Sequence, residues 1–224
     1  MRRIGVLMPF DENDPDGKLR YSAFIQALAD LGWTDGRNVQ MDLRWAGDDI
    51  NRTRSLAQEL VRLQPHIIVT SSTPPTAAVQ RETRTIPIVF AGVGDPVAGG
   101  IVPRLNQPGV NVTGFGVLEA TLGGKWLELL SEIVPGLKRA AIMFNPDLPP
   151  ASAYMPLLSY GTDEVDTWRR AAAYVDRIVR GAKPGDLPVQ LPTKFEMVVN
   201  RKTATALGLV VPPSIRLRAT EVIE

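Results

Sequence analysis

The sequence contains no cysteine and a single histidine, His66. Without cysteine the chain forms no disulfide, no thiolate metal site and no cysteine nucleophile. One histidine excludes a histidine-rich metal cluster, and no serine or aspartate stands at a fixed spacing that would make it part of a Ser-His-Asp triad. We therefore expect neither an enzyme nor a protein with a bound cofactor or metal.

An excess of charge of one sign is also missing. The 25 Lys and Arg residues nearly balance the 24 Asp and Glu residues, and no charged block occurs. A nucleic-acid-binding surface needs a basic face or stripe, so no nucleic-acid partner is expected.

Long apolar runs are absent as well. No stretch of about 18 apolar residues exists that would span a membrane. The apolar run at residues 4–8 is too short for a secretory signal, and Pro9 ends it. With no leader expected, a cytoplasmic location is one prediction.

What the first half of the chain does contain is a regular alternation of strand and helix patterns. Apolar runs predict strands at residues 4–8, 39–45, 66–69, 86–90 and 110–115, and apolar stripes predict helices at residues 18–31, 50–63 and 76–83. Asp48 or Asp49 is placed to cap the second helix. This order implies right-handed crossovers and a parallel sheet with helices on both faces.

The second half is less regular. Its patterns predict a helix at residues 122–133, a strand at 139–144, a long helix at 163–180, a linker at 183–192, a strand at 194–199 and a short helix at 202–207. Residues 151–160 and the tail from residue 210 show no clear period.

A run of four hydroxyl residues follows the third predicted strand and precedes a predicted helix. In open α/β sheets the carboxyl ends of strands face the ligand crevice. A helix N-terminus with free N–H groups attracts anions such as a carboxylate. We therefore predict small-molecule binding here, with an ordinary capped loop as the alternative. The hydroxyl residues are Thr70, Ser71, Ser72 and Thr73.

A glycine pair follows the fourth predicted strand. Gly92 and Gly94 resemble the start of a dinucleotide-binding fingerprint, but Val97 stands where the third glycine belongs. The alternatives are a turn whose glycines let the backbone approach a ligand, with Asp95 accepting a hydrogen bond from an amine, or a plain turn held by Asp95.

Two further loops are candidate ligand contacts. Phe10, which follows Met8 and Pro9, stacks on a ligand ring in one interpretation and packs against the sheet in the other. Asn145 and Asp147 follow the predicted strand at 139–144, although Asn-Pro-Asp is also a common turn sequence.

Taken together, several short stretches resemble a known protein family, the ABC transporter substrate-binding proteins of the tryptophan-binding-like type. They occur in order over nearly the whole chain, and jointly they are specific although each alone is weak. They include Thr85-Ile-Pro-Ile-Val-Phe90, Gly94-Asp-Pro-Val97, Pro108-Gly-x-Asn-Val-Thr-Gly114, Ser159-Tyr-Gly161, Gly181-Ala-Lys-Pro184 and Pro192-Thr-Lys-Phe-Glu196.

The resemblance implies an α/β fold of the type I periplasmic-binding-protein kind, with two lobes joined by three crossovers. A small, often amino-acid-like ligand is held between the lobes, and hinge closure presents the loaded protein to an ABC permease. The implied first lobe covers residues 1–117 and 162–186, and the second covers 118–161 and 187–224. The implied ligand-binding residues are Met8, Pro9, Phe10, Thr70, Ser71, Ser72, Thr73, Gly94, Asp95, Pro96, Asn145, Asp147 and Tyr160.

The chain departs from the family pattern in two places. Family members usually carry a leader, which places them in the periplasm or on the cell surface, and this sequence starts at its first strand. The family also has a long βαβα stretch between its Asn-Pro-Asp loop and Ser-Tyr-Gly, whereas here Asp147 and Ser159 are only a few residues apart. We therefore expect a complete first lobe and a reduced second lobe. The reduced lobe would expose the edges of its strands at 140–144 and 194–199, and a homodimer through those edges is a further expectation.

Three functions remain open from the sequence. The first is the solute-binding component of an ABC importer. The second is a non-transport ligand sensor, or a non-functional remnant, on the same fold. The third is a nucleotide-dependent α/β enzyme, which the broken glycine pattern and the absence of an evident acid–base pair disfavour.

Overall fold

The computed structural model describes residues 1–117, 119–140 and 158–223. The chain divides into two compact units. Unit 1 comprises Met1–Val117 and Glu164–Pro192, and unit 2 comprises Leu118–Asp163 and Thr193–Glu224. The chain therefore passes between the units three times.

The described elements follow one another along the chain in a mixed α/β order. They are β1 (Arg2–Met8), α1 (Pro15–Asp30), β2 (Val39–Trp45), α2 (Ile50–Arg62), β3 (Ile67–Ser71), α3 (Thr73–Glu82), β4 (Ile88–Gly94), β5 (Val112–Val117), α4 (Glu119–Ile133), β6 (Leu158–Thr162), α5 (Glu164–Val179), β7 (Phe195–Asn200), α6 (Arg201–Ala206), α7 (Pro213–Arg218) and β8 (Glu221–Ile223).

Unit 1 is built on a five-stranded sheet in the order β2-β1-β3-β4-β5, in which every neighbouring pair is parallel. Its central strands are buried on both faces because helices cover both sides. Phe24 of α1 and Trp168 of α5 contribute to the core on one face, and Leu60 of α2 and Val79 of α3 contribute to the core on the other. The predicted parallel α/β sheet is confirmed.

The helices of unit 1 begin where the sequence provides a cap. Asp14 accepts a hydrogen bond from the Gly17 N–H at 2.7 Å, and Asp49 accepts from the Asn51 and Arg52 N–H groups. Between the two capping aspartates considered for α2, the structure therefore selects Asp49. Such a cap stabilises a helix by about 1 kcal/mol.

Among the unit 1 boundaries that differ from the prediction, two lie at the candidate site. The third strand continues through Thr70 and Ser71, and α3 begins at Thr73 rather than at residue 76. The fourth strand continues to Gly94, through residues that were predicted to form a loop. In both cases parallel pairing with a neighbouring strand carries the strand beyond its apolar run.

Unit 2 contains a three-stranded sheet in the order β6-β7-β8, with β6 antiparallel and β8 parallel to β7. Leu129 and Ile133 of α4, Met197 and Val199 of β7 and Ile215 of α7 form its core. The expectation that β7 leaves an edge unpaired is wrong, because β7 is the central strand. β6, α7 and β8 arise in segments where the sequence shows no clear period.

The predicted strand at residues 139–144 falls mostly outside the described residues. Arg139 and Ala140 are described and have no regular structure.

The predicted linker at residues 183–192 is a packed part of unit 1. It contains a short 3₁₀ helix, Pro184–Asp186, and Leu187 and Val189 are buried. The Gln190 N–H donates to Gly114 O at 3.0 Å, and its carbonyl accepts from the Gly116 N–H at 2.9 Å. The segment therefore continues the edge of the sheet beside β5 as a single bridge.

No helix among the described residues is both long and apolar enough to cross a membrane. Within the same residues, no three His, Asp or Glu side chains are grouped so that they could hold a metal ion.

Candidate functional site

The strand order of unit 1 reverses between β1 and β3. The chain leaves β1 towards α1 on one face of the sheet and leaves β3 towards α3 on the other. Such a reversal opens a crevice at the carboxyl ends of the two strands, which is where open α/β sheets bind ligands. Pro9 and Phe10 follow β1, and Ser72 and Thr73 follow β3, so these four predicted residues lie at the crevice.

Thr70 and Ser71 lie within β3 and are almost fully buried, so they are not loop residues as predicted. The hydroxyl oxygens of Thr70 and Thr76 are 2.8 Å apart, and the Thr76 hydroxyl donates to Ser72 O at 2.6 Å. Because the Thr76 hydrogen is used in that bond, Thr70 is the donor to Thr76. The Thr70 hydroxyl therefore fixes the start of α3.

Ser72, the residue that precedes α3, has a strained backbone. Its φ is 62° and its ψ is 178°, a region that glycine alone occupies readily. Its side chain makes no capping hydrogen bond to the helix, and its N–H donates to Ala91 O of β4 at 3.0 Å. Strain of this kind, which costs about 1–3 kcal/mol, clusters at binding and active sites.

The predicted row of free N–H donors at the start of α3 is largely missing. Because the helix begins at Thr73, Pro74 and Pro75 occupy its second and third positions. Proline has no N–H, so among the first three helical residues only Thr73 retains a donor. This helix N-terminus therefore offers fewer N–H donors to an anion than one without prolines would, and ligand binding there stays a prediction.

The end of β4 lies beside Ser72. The pairing of β4 with β5 shifts between Ala91 and Val93, and the intervening Gly92 has a φ of 74°. Gly92 and Gly94 are strand residues that do not open a helix, so the dinucleotide interpretation is wrong. The glycines instead accommodate an irregularity at the strand end.

Asp95 holds the turn that follows β4. Its N–H donates to Val117 O at 2.7 Å, and its carboxylate accepts from the Ala98 N–H at 3.0 Å. Its φ of 29° places it among the few non-glycine residues with a positive value. Pro96 is buried against Gly116, where an added Cβ would lie 2.5 Å from the proline ring. The turn held by Asp95 is confirmed, and its ligand contact remains a prediction.

Sequence reasoning missed one carboxylate at this strand end. The Glu164 side chain lies over Gly92, since a Cβ added to that glycine would be 3.0 Å from Glu164 Oε2. Glu164 is the first residue of α5 and lies 72 positions further along the chain. No local pattern links the two residues, so only the packing of α5 on unit 1 brings them together.

The other side of the crevice is formed after β1 and β2. Phe10 packs partly against the core, and the guanidinium of Arg20 lies 4.8 Å from the centre of its ring. Met8 is fully buried. The packing of Phe10 against the core agrees with the second interpretation. The residue is nevertheless only partly buried, so part of it remains exposed at the crevice.

An acidic group follows β2 at the same edge of the sheet. Partial burial, and then the nearby charges of Asp11 and Asp14, raise the pKa of Asp48 above its usual 3.8. Asp48 also has a positive φ, 54°. Together with Ser72 and Asp95, it gives three residues with a positive φ that follow the carboxyl ends of β2, β3 and β4 in the same sheet.

The remaining predicted site residues lie elsewhere. Tyr160 is in unit 2, where its ring stacks on Phe195 with the centroids 5.6 Å apart and an angle of 7°. Its carbonyl accepts a hydrogen bond from Trp126 Nε1 at 2.7 Å. Asn145 and Asp147 lie outside the described residues.

A second concavity, of about 510 Å³, lies at the opposite edge of the unit 1 sheet, where the strands begin. It is wide open to solvent, and Arg2, Trp33 and His66 are among its lining residues. His66 Nδ1 accepts the Arg3 N–H at 3.1 Å, so the lone histidine has a structural bond. We favour the carboxyl edge as the site, because the strand reversal and the backbone strain both occur there.

The sequence matches the family model described as ABC transporter substrate binding protein. The match covers residues 4–158 and 155–223, in two segments that meet at residues 155–158. The tyrosine-binding protein of Clostridioides difficile (strain R20291) is 36% identical over 122 residues, which cover 54% of this chain and 35% of that protein. The matched stretch thus spans about a third of that relative.

Two solved structures share the fold. A conserved domain protein from Vibrio cholerae O1 biovar El Tor is 23% identical with a TM-score of 0.89, and the match covers 99% of both chains. The ABC domain from Streptococcus pneumonia, solved in complex with L-Trp, is 20% identical with a TM-score of 0.88 and the same coverage. At these identities the likeness concerns the fold alone.

Proposed function

Since the chain belongs to the family of ABC transporter substrate-binding proteins, we propose that it binds a small amino-acid-like solute and delivers it to an ABC permease. The family consists of solute-binding proteins and not of enzymes. The observation that carries the proposal is the strained Ser72 at the β1/β3 reversal, because it combines a ligand crevice with the kind of backbone strain found at binding sites.

An aromatic amino acid is the ligand class that we propose. A relative with 36% identity is described as a tyrosine-binding protein, and a structure of the same fold was solved with L-Trp. A half-buried Phe10 at the crevice suits a ring, because aromatic pairs stack or meet edge to face.

We take unit 1 as the first ligand-binding lobe and unit 2 as the second. In unit 1 the exposed or half-exposed members of the predicted set, which are the best placed to touch a ligand, are Pro9, Phe10, Ser72, Thr73, Gly94 and Asp95. Met8, Thr70, Ser71 and Pro96 are buried and support them from behind. Asn145, Asp147 and Tyr160 complete the proposed set from the second lobe.

A location in the periplasm or at the cell surface, a permease partner and a homodimer belong to the same proposal. The location and the permease partner follow from the way in which the family works, and the homodimer follows from the strand edges of unit 2. A second lobe that is shorter than usual in the family is part of the same proposal.

The proposal is tested by thermal unfolding in the presence of a library of amino acids and small metabolites. A ligand that binds only the folded state at about 100 times its Kd stabilises the protein by about 2.7 kcal/mol. We expect L-tyrosine or L-tryptophan to raise Tm, and calorimetry then to give a one-to-one complex.

A pair of serine variants locates the binding. Ser72→Ala is expected to weaken binding about tenfold, because the loss of a hydrogen-bonded hydroxyl costs about 1–1.5 kcal/mol. Ser55→Ala, on the exposed face of α2, is the matched control and leaves the affinity unchanged. A folded protein that no library member stabilises contradicts the proposal and favours a remnant without ligand. Stabilisation by metabolites other than amino acids favours the sensor.

A further inference from the structure

The Glu164 carboxylate rests on the backbone of β4 at the point where the strand is irregular. Gly92 makes this approach possible, since a side chain at that position would have its Cβ 3.0 Å from Glu164 Oε2. Glu164 is half-buried, so the residue is partly shielded from solvent and partly exposed to it. A carboxylate offers about four acceptor sites, which leaves capacity for a ligand besides any contact within the protein.

Ser72 connects this carboxylate to the crevice. Its N–H donates to Ala91 O, and Ala91 is bonded directly to Gly92. The end of β3 and the residue beneath Glu164 are therefore immediate neighbours. Ser72, whose side chain makes no capping hydrogen bond to α3, therefore stands at the same strand ends as Gly92, the residue beneath Glu164.

Acceptors predominate among the groups gathered at this point. A carboxylate accepts hydrogen bonds only, and hydroxyl groups accept them readily, whereas Pro74 and Pro75 remove two backbone donors. An ammonium group carries three N–H donors and a positive charge, so it matches such a set, whereas a carboxylate does not.

We propose that Glu164 determines the specificity of the unit 1 wall by receiving the ammonium group of the solute, with the Ser72 hydroxyl as a second acceptor. This inference rests on the proposed function and deepens it. In this inference the ammonium group of the ligand binds to unit 1. The sequence had instead predicted that an anionic group would bind there.

The test compares three ligands that differ at one end only. These are L-tyrosine, tyramine, which lacks the carboxylate, and 3-(4-hydroxyphenyl)propionate, which lacks the ammonium group. Glu164→Gln keeps the shape and removes the charge. Glu82→Gln makes the same change at the last residue of α3, at the opposite edge of the sheet, and serves as the control. Affinities are measured by calorimetry, and Tm without ligand checks folding.

We expect Glu164→Gln to weaken the binding of L-tyrosine and tyramine about ten- to a hundredfold, the loss of a charged hydrogen bond. The same variant should change the affinity for the propionate less than twofold. Glu82→Gln should leave the affinities for all three ligands unchanged. Equal loss for all three ligands would mean that Glu164 has a structural role only. Unchanged affinities of Glu164→Gln for L-tyrosine and tyramine would overturn the inference as well.

The inference and the proposed function fail in different ways. If the wild-type protein binds no α-amino acid, the proposed function is contradicted. The role of Glu164 is then tested with a panel of primary amines, added to the wild type and to Glu164→Gln. Stabilisation of the wild type by an amine, absent in Glu164→Gln, would still support the inference. An amine panel without any effect would overturn it too.

Discussion

Asp48, one of the residues with a positive φ at the site, makes the stability of the folded state depend on pH. Partial burial and the charges of Asp11 and Asp14 raise its pKa in the folded state. A carboxyl whose pKa is raised on folding disfavours the folded state once it is ionised, and the penalty disappears as pH falls and the group takes up its proton.

Asp48→Asn is therefore expected to raise Tm at pH 7. The gain is roughly 1–2 °C, kept small because Asp48 is buried only in part and keeps much of its contact with solvent. Asparagine also tolerates the positive φ of this position. The gain should shrink as pH falls from 7 through the raised pKa and vanish below about 3.8, where aspartate is protonated in both states.

Thermal unfolding of wild type and variant across pH 3–8 measures this difference, and the low-pH end serves as its internal control. A Tm difference that stays constant over this range would mean that the substitution acts through the backbone alone.

Individual residues were predictable from the sequence where their partner is a few positions away. Asp49 caps α2 through the N–H groups two and three residues later, so a sequence window contains the whole interaction. Glu164 and Gly92 meet only because α5 returns to unit 1. The Ser72 strain was likewise unpredictable, because its φ is imposed by the bond to Ala91 of another strand.

Among the elements, the β4–β5 pair depends on one glycine. Gly114 has a φ of 155°, and a Cβ there would lie 2.1 Å from Phe90 O and 2.7 Å from Phe90 N. These are backbone atoms of the paired strand, so they cannot move aside without breaking the pairing.

Gly114→Ala is expected to destabilise unit 1 by about 3 kcal/mol or more. Denaturant unfolding followed by hydrogen exchange of β4 and β5 measures the loss. Gly124→Ala is the control, because Gly124 is exposed on α4 and has nothing within 4 Å of an added Cβ. There alanine should stabilise the helix by about 0.5–1 kcal/mol. Wild-type stability in Gly114→Ala would refute the assigned packing of the two strands.

Elements with strong periodicity were predicted well. The helices of unit 1 and its five strands bury continuous apolar runs or stripes, which a single sequence displays. β6 and β8 could not be predicted in the same way. They are short and only partly buried, and they exist because each pairs with β7, which is distant in the sequence.

For the whole molecule, the order of the unit 2 sheet determines how copies could meet. β7 is paired on both sides, so among the described strands of this sheet only β6 and β8 offer an outer edge. β8 presents Ile223, which is 43% exposed. An uncovered edge with an apolar side chain favours pairing with a second chain.

We therefore predict a homodimer that forms through β8. Light scattering should give twice the 24.4 kDa of the chain. Ile223→Lys should shift the mass towards the monomer, because a charge on an edge strand opposes pairing. Leu19→Lys, at an exposed position of α1, adds the same charge and should leave the mass unchanged. A monomeric wild type at micromolar concentration would rule out the dimer.

The interleaving of the two units also has a consequence for synthesis on the ribosome. α5 supplies six buried side chains to one face of the unit 1 sheet, among them Trp168 and Val175. When Val117 emerges, all five strands exist and that face is covered by α1 alone. At about 5–20 residues per second, α5 follows only after roughly 3–12 seconds. During that interval the nascent chain exposes a broad apolar surface on this face of the sheet. The surface is buried only when α5 has been synthesised and packs on it.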